Sequence, residues 1–142
     1  MDRAVATVHD DLGPIEILVT SAGINATGAF TSITLDDWER VLRVNLTGTF
    51  HCIQAIIPDM IAANWGRIVT ISSSSAQSGA PQRAHYVASK GGIFALTKAL
   101  AMEFSRNGIT VNTIPPSIID TPMAPPAKPR VTSPVASRAL AR

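Results

Sequence analysis

The sequence predicts an α/β protein built on a parallel sheet, and three observations carry that expectation. Short apolar runs recur at residues 15–19 (IEILV), 67–72 (RIVTIS) and 109–114 (ITVNTI). Two longer stretches between them repeat their apolar residues every three or four positions, the period of a helix with one buried face. The first run, apolar but for Glu16, is of the kind found in parallel strands buried on both faces. Strand–helix–strand–helix–strand at this spacing gives a parallel sheet with helical crossovers.

Residues 2–12 read as the end of a helix, stopped by Gly13-Pro14. The first strand ends in Thr20-Ser21-Ala22-Gly23. Small residues there suit either a plain turn or close approach of the backbone to a ligand. Thr34 begins a helix, with Asp37 three residues on in the manner of a capping box and acids in the first turn. Trp38, Val41, Leu42 and Val44 follow as core, and the pattern continues through Leu46, Phe50, Ile53, Ile56, Ile57 and Ile61. That makes one long helix, or two joined near Asn45 and Gly48. Pro58 either kinks it or lies on an exposed side. Asn45 is polar among apolar neighbours, so if buried it must be hydrogen-bonded, as a structural group or as the holder of a water. Trp65 and Gly66 close this helix, with Trp65 a packing residue.

A second strand at 67–72 feeds a polar loop running to His85. Gln82 and His85 read as exposed loop residues in preference to the other reading, that they face a substrate. An amphipathic helix over 86–106 follows, with Val87, Ile93, Phe94, Leu96, Leu100 and Phe104 on its apolar side. Gly91-Gly92 cost about 1 kcal/mol each against alanine, which points to close helix packing or a nearby ligand. Asn107-Gly108 ends the helix and leads into the third strand.

Nearly half of the 142 residues are apolar, ample for one buried core. No apolar run reaches the roughly 18–20 uncharged residues of a membrane span. With no basic-then-apolar leader, the chain reads as cytoplasmic. Cys52, the sole cysteine, has no internal disulfide partner and reads as a small core residue. The four basic residues after Met123 have no acid beside them, and the remaining eight face ten acids. The folded part is thus slightly acidic, which argues against a nucleic-acid partner. His9 and His51 have no metal-ligand spacing, so no metal is expected. Seven of the ten prolines fall between 115 and 134. Residues 1–123 therefore read as the domain, and 124–142 as an irregular, proline-rich basic tail.

Residues 66–90 (GRIVTISSSSAQSGAPQRAHYVASK) concentrate the chemistry. Tyr86 and Lys90 stand four apart, on one helix face. A cation beside a phenol favours the phenolate, which makes tyrosine a usable acid or base near neutral pH. Four more motifs stand in fixed order around this pair: Ala22-Gly23 after a strand, Asn45 in NLTGTF, Ser73 thirteen residues before Tyr86, and VNTIPPSIIDTPM. Together they resemble the short-chain dehydrogenase/reductase family over residues 1 to about 123, most of all its 3-oxoacyl-carrier-protein-reductase branch.

The resemblance implies a partial Rossmann-like, doubly wound parallel sheet: three strands and their flanking long helices. It implies a catalytic tetrad of Asn45, Ser73, Tyr86 and Lys90. Tyr86 would exchange the proton with the substrate oxygen, and Ser73 would position that oxygen. Lys90 would bind the nicotinamide ribose and keep the tyrosine acidic, while Asn45 would hold a water linking the lysine to solvent. Tyr86 and Lys90 would also touch the cofactor, NAD or NADP, with Ala22 and Gly23 by its adenosine side. Pro116, Ser117, Ile119 and Thr121 would cradle the nicotinamide. The substrate would be a small alcohol or ketone. The helices at 46–64 and 86–106 would build a homodimer or tetramer.

Two positions depart from the family pattern. Thr20-Ser21 replaces a pair of asparagines, weakening hydrogen bonding at the strand end. Ser117 replaces a glycine and puts a side chain where the nicotinamide should approach. No G-x-x-x-G-x-G or G-x-G-x-x-G occurs in the sequence, so the unit that seats a pyrophosphate at a helix N-terminus is not written here. The chain reads as the middle of a family member, lacking that unit and the substrate region beyond residue 123. Two readings follow: an NAD(P)-dependent oxidoreductase, or a weak or inactive piece of one that keeps only a helical association surface.

Overall fold

The computed structural model describes residues 2–119, so Thr121 and the expected tail at 124–142 lie outside the described residues. The elements run α1 (Asp2–Leu12), β1 (Ile17–Thr20), α2 (Leu35–Leu42), α3 (Gly48–Ala63), β2 (Gly66–Ile71), the short α4 (Ser75–Ser78), α5 (Ala84–Glu103) and β3 (Ile109–Ile114). Gly13 stops α1 as expected, at φ +84° with its N–H donating to the His9 carbonyl at 3.0 Å. The Thr34 hydroxyl accepts from the Asp37 N–H at 3.1 Å and donates to its carboxylate at 2.7 Å. Such a cap is worth about 1 kcal/mol.

The long helical pattern resolves into two helices joined by a π turn at Arg43–Thr47, centred on Asn45. π turns inside helices are rare and concentrate at functional sites. Pro58 sits on the exposed side of α3 and does not interrupt it. The cap of α3 is Asn64, in the left-handed region at φ 49°, whereas Gly66 already belongs to β2. Trp65 is more exposed than a packing residue should be, and the Arg67 guanidinium lies 4.3 Å from its ring centre.

The strands are parallel in the order β1-β2-β3, with Leu18, Ile68 and Val111 in one row and Thr20, Thr70 and Thr113 in the next. These rows face the core. Ile53, Ile56 and Met60 of α3 pack there with Ile68, Ile109 and Val111, joined by Val5 of α1, by Leu96 and Leu100 of α5 and by Phe104 just after it. Thr70 is polar on this inner face, and its hydroxyl is satisfied by that of Thr97 at 2.9 Å. The result is a partial Rossmann-like α/β fold.

The expectation that β1 is buried on both faces does not hold among the described residues. Ile17 and Val19 are 62% and 58% exposed. The helices that enter the core all do so on the Leu18–Ile68–Val111 side, so the opposite side chains meet solvent. Val44, Phe50 and Ile61 are likewise exposed where core was expected. The π turn adds a residue to one turn, rotating the apolar positions after it so that α3 cannot bury all of them.

Helix α5 starts two residues and ends three residues before the expected bounds. The tolerance for Gly92 is explained by packing: a Cβ there would lie 2.6 Å from Leu46 Cδ2, while Gly91 has open space. Asp59 on α3 holds the end of α1 in place. Its carboxylate accepts from the Ile15 N–H at 3.0 Å and pairs with His9 at 2.6 Å. The Ile15 bond, then the histidine, hold the Asp59 carboxyl below its ordinary value. Among the described residues no helix is long and apolar enough to cross a membrane.

Gly108 turns the chain from α5 into β3 at φ +67°, and a Cβ there would collide with the backbone carbonyl of Asn64. Gly108→Ala is expected to destabilise by about 2 kcal/mol, combining left-handed strain with overpacking. Urea unfolding checks this, and a loss below about 0.5 kcal/mol, the range of an ordinary surface substitution, contradicts it.

Candidate active site

Parallel pairing puts the carboxyl ends of β1, β2 and β3 on one edge, the usual ligand edge of an open α/β sheet. From that edge emerge residues 21–24, the serines at 72–75 and Pro115-Pro116-Ser117. The π turn delivers Asn45 to the same place, and the first turns of α5 deliver Tyr86, Ser89 and Lys90.

Asn45 is fully buried, with every described bond of its side chain made to protein. Its Oδ1 accepts from the Ile24 N–H at 2.7 Å, and its Nδ2 donates to the Ile24 carbonyl and to Ser89 Oγ, both at 3.0 Å. The side chain thereby clips the loop after β1 to the π turn and to α5. Gly23 lies against this clip. A Cβ there would stand 3.3 Å from Asn45 Oδ1 and 3.4 Å from Lys90 Nζ, so the absence of a side chain permits the close approach.

Lys90 is buried, and its Nζ donates to the Ile71 carbonyl at 2.8 Å while the Ser72 hydroxyl donates back to the Lys90 carbonyl at 2.8 Å. These reciprocal bonds lock the end of β2 to α5. An ammonium carries three donors, and the bond to Ile71 is the one recorded for Lys90 among the described residues, which leaves two for a ligand. Nζ lies 6.0 Å from the Tyr86 ring centre. The serine loop is pinned from the other side, by Ser72 N–H to the Ile114 carbonyl and Ser74 N–H to the Pro116 carbonyl, each at 2.9 Å. Ser73 is a largely buried residue whose Oγ accepts from the Ser75 N–H at 3.2 Å, so its own proton remains for donation.

Burial pushes the Lys90 amine below its ordinary value of 10.5. The unfolded chain therefore holds that proton more tightly than the folded one, and stability should rise as pH climbs from the lowered value towards 10.5. Lys90→Met is expected to abolish this alkaline rise, since it removes the titrating amine, while the Ile71 carbonyl left without its donor lowers stability by a pH-independent amount. Parallel denaturation midpoints of parent and variant across the alkaline range check it. Equal slopes for the two proteins would contradict it.

The short chain dehydrogenase family model matches residues 1–131. The chain belongs to the short-chain dehydrogenase family. It is 43% identical over 125 residues to an uncharacterized NAD-dependent oxidoreductase of Mycobacterium tuberculosis, covering 87% of this chain and 46% of that protein. An acetoacetyl-CoA reductase of Shinella zoogloeoides is 44% identical over 121 residues, 85% of this chain and 50% of the relative. A 3-oxoacyl-[acyl-carrier-protein] reductase of Synechocystis is 37% identical over 123 residues, 87% of this chain and 50% of the relative. The chain thus spans about half the length of the curated relatives it matches.

Of the residues the family resemblance singled out, Gly23, Asn45 and Lys90 are mutual neighbours, Tyr86 stands within 6.0 Å of the lysine, and Ser73 lies on the adjoining loop. Pro116 is tied to that loop through Ser74. Ala22, Ser117 and Ile119 are exposed along the same edge. Thr20, at the end of β1, has a buried hydroxyl with no hydrogen-bond partner among the described residues.

The expectation of an exposed His85 is corrected: it is 2% exposed, because α5 begins at Ala84 and turns the ring inward. It lines a polar cavity of about 350 Å³ with Asn25, Ser32, Asp37 and Arg40. Gln82 does stay at the surface, at φ 59°, its carbonyl accepting from the Gly28 N–H at 2.8 Å. The residue that sequence reasoning passed over is Ser89. Its signal was available in the i, i+4 series His85, Ser89, Ile93, Thr97, which is the buried face of α5.

Proposed function

We infer that the site performs hydride transfer between a nicotinamide cofactor and a small alcohol or carbonyl substrate. The observation that carries this reading is the convergence of Gly23, Asn45, Tyr86 and a buried Lys90 on one sheet edge. The residues present fit the nicotinamide-ribose end of a dinucleotide, because Lys90 has ammonium donors to spare beside a glycine that allows close approach. When bound, NAD or NADP supplies the hydride acceptor or donor.

Tyr86 is the acid–base residue. Its phenolate takes the alcohol proton as the carbinol carbon gives up hydride, and in the reverse direction its hydroxyl protonates the carbonyl oxygen. Ser73 donates its free proton to the same oxygen and holds it in place. The Lys90 ammonium stabilises the phenolate electrostatically and donates to the ribose hydroxyls. Asn45, its side chain already committed to Ile24 and Ser89, keeps these elements in register. The mycobacterial relative is named as NAD-dependent, and the other two are named as an acetoacetyl-CoA reductase and a 3-oxoacyl-[acyl-carrier-protein] reductase, which supports the cofactor class and a keto or hydroxyl substrate.

A second reading rests on a separate observation. Phe50 and Ile61 on α3 and Met102 on α5 are exposed, so residues 46–64 and 86–106 also suit a homodimer or tetramer interface, and such association would be the residual capacity of an inactive chain. Titrating the purified chain with NADH and NADPH, read by the fluorescence of Trp38 and Trp65, separates the two. Saturable binding is expected. Flat titrations up to millimolar concentrations of both cofactors, with a sedimenting dimer or tetramer, would leave only the association reading.

A further inference from the structure

The first turn of α5 carries Tyr86 and has little of its own to fix it. Arg83, at the N-cap position, makes no side-chain capping bond. His85 is buried, yet its Nδ1 has no hydrogen-bond partner among the described residues. The Arg83 guanidinium, 5.9 Å from the Tyr86 ring centre, is at the far limit of a useful contact.

Ser89 supplies the missing attachment. It is fully buried, its hydroxyl donates to the Tyr86 carbonyl at 2.7 Å, and its oxygen accepts from Asn45 Nδ2 at 3.0 Å. A serine inside a helix commonly satisfies its hydroxyl on a preceding carbonyl, and that bond alone would mean nothing. The second bond is different, because it arrives from another element. The Asn45 nitrogen that makes it also donates to the Ile24 carbonyl, so Ile24, Asn45, Ser89 and the Tyr86 backbone form one buried chain of hydrogen bonds.

We propose that Ser89 is a positioning residue for Tyr86. Its hydroxyl fixes the first turn of α5 against the π turn and the loop after β1, and so fixes where the phenol stands relative to Lys90. The consequence for turnover rests on the reading of Tyr86 as the acid–base group; the consequence for the position of its ring does not.

The test exploits Tyr86 being the chain's sole tyrosine, so that 3-fluorotyrosine labels it alone. The parent is expected to give one narrow fluorine resonance, Ser89→Ala a broadened, split or displaced one, and Ser89→Thr, which keeps the hydroxyl, the parental line again. Ser89→Cys, nearly isosteric with a weak donor, serves should the alanine variant not fold, and should resemble it. In turnover assays on the same proteins, Ser89→Ala should lower kcat by about tenfold or more, short of about 100-fold, with cofactor KM within about twofold, the pattern of a displaced group. A resonance unchanged in Ser89→Ala, or in the cysteine variant, overturns the proposal. So does unchanged kcat where the parent is active. A parent without turnover defeats the oxidoreductase reading alone, and the fluorine spectra still decide the role of Ser89.

Discussion

Tyr86→Phe should lower NAD(P)-linked turnover by about 100- to 10,000-fold, the usual contribution of one positioned acid–base group. The substitution removes a hydroxyl and keeps the ring. None of the hydrogen bonds recorded within the site uses the phenol oxygen. Those at this position use the Tyr86 backbone. Stability should therefore change by less than about 0.5 kcal/mol, as for a substitution away from the hydrogen-bonded network. Cofactor affinity should change little, because the donors assigned to the ribose are on Lys90. The pattern expected is a loss in kcat with the cofactor KM preserved, from steady-state rates and a denaturation curve of the same preparation. A variant turning over at the parental rate would remove Tyr86 from the acid–base role. A variant that merely unfolds earlier would show that the residue is structural.

Asn45→Ala should cost about 3 kcal/mol of stability. Three hydrogen bonds end on this buried side chain, and alanine leaves the Ile24 N–H, the Ile24 carbonyl and the Ser89 hydroxyl short of a partner. Each unsatisfied buried group costs about 1–3 kcal/mol, reduced where the backbone can relax or water can enter. The two bonds to Ile24 are only part-buried, so water can replace some of what is lost and the total falls below the full sum. Urea unfolding measures it. A change under about 1 kcal/mol would mean that the clip is replaced by solvent and that the loop is held elsewhere. Because the clip also holds Ser89, turnover should fall in the same variant.

Much of this architecture was legible in the sequence because it is written in local codes. The turn at Gly13, the Thr34 cap and the left-handed Gly108 each follow from the chemistry of one or two residues. Tyr86 and Lys90 share a helix face by arithmetic alone. The errors have a common origin in tertiary packing. Phe50 and Ile61 look like core by hydropathy, but whether an apolar side chain is covered depends on which face of the helix meets the sheet. The π turn at Asn45 shifts that face. His85 looked like a loop residue because a boundary two residues away could not be read, and the true start of α5 carries its ring inside.

The sequence by itself determined the order of strands and helices, the pairing of Tyr86 with Lys90, and the presence of an asparagine and a serine at family spacing. Those depend on interactions within a turn or two, where residue identity suffices. Only the tertiary structure decided which groups the Asn45 and Ser89 side chains bond. Their hydrogen bonds join residues as far apart as 24, 45 and 89, and spacing along the chain carries no information about which donor will meet which acceptor. The same holds for Lys90: its position was readable, but its buried ammonium, lowered in proton affinity and bonded to the end of β2, exists only because a strand end, a helix and Gly23 close around it.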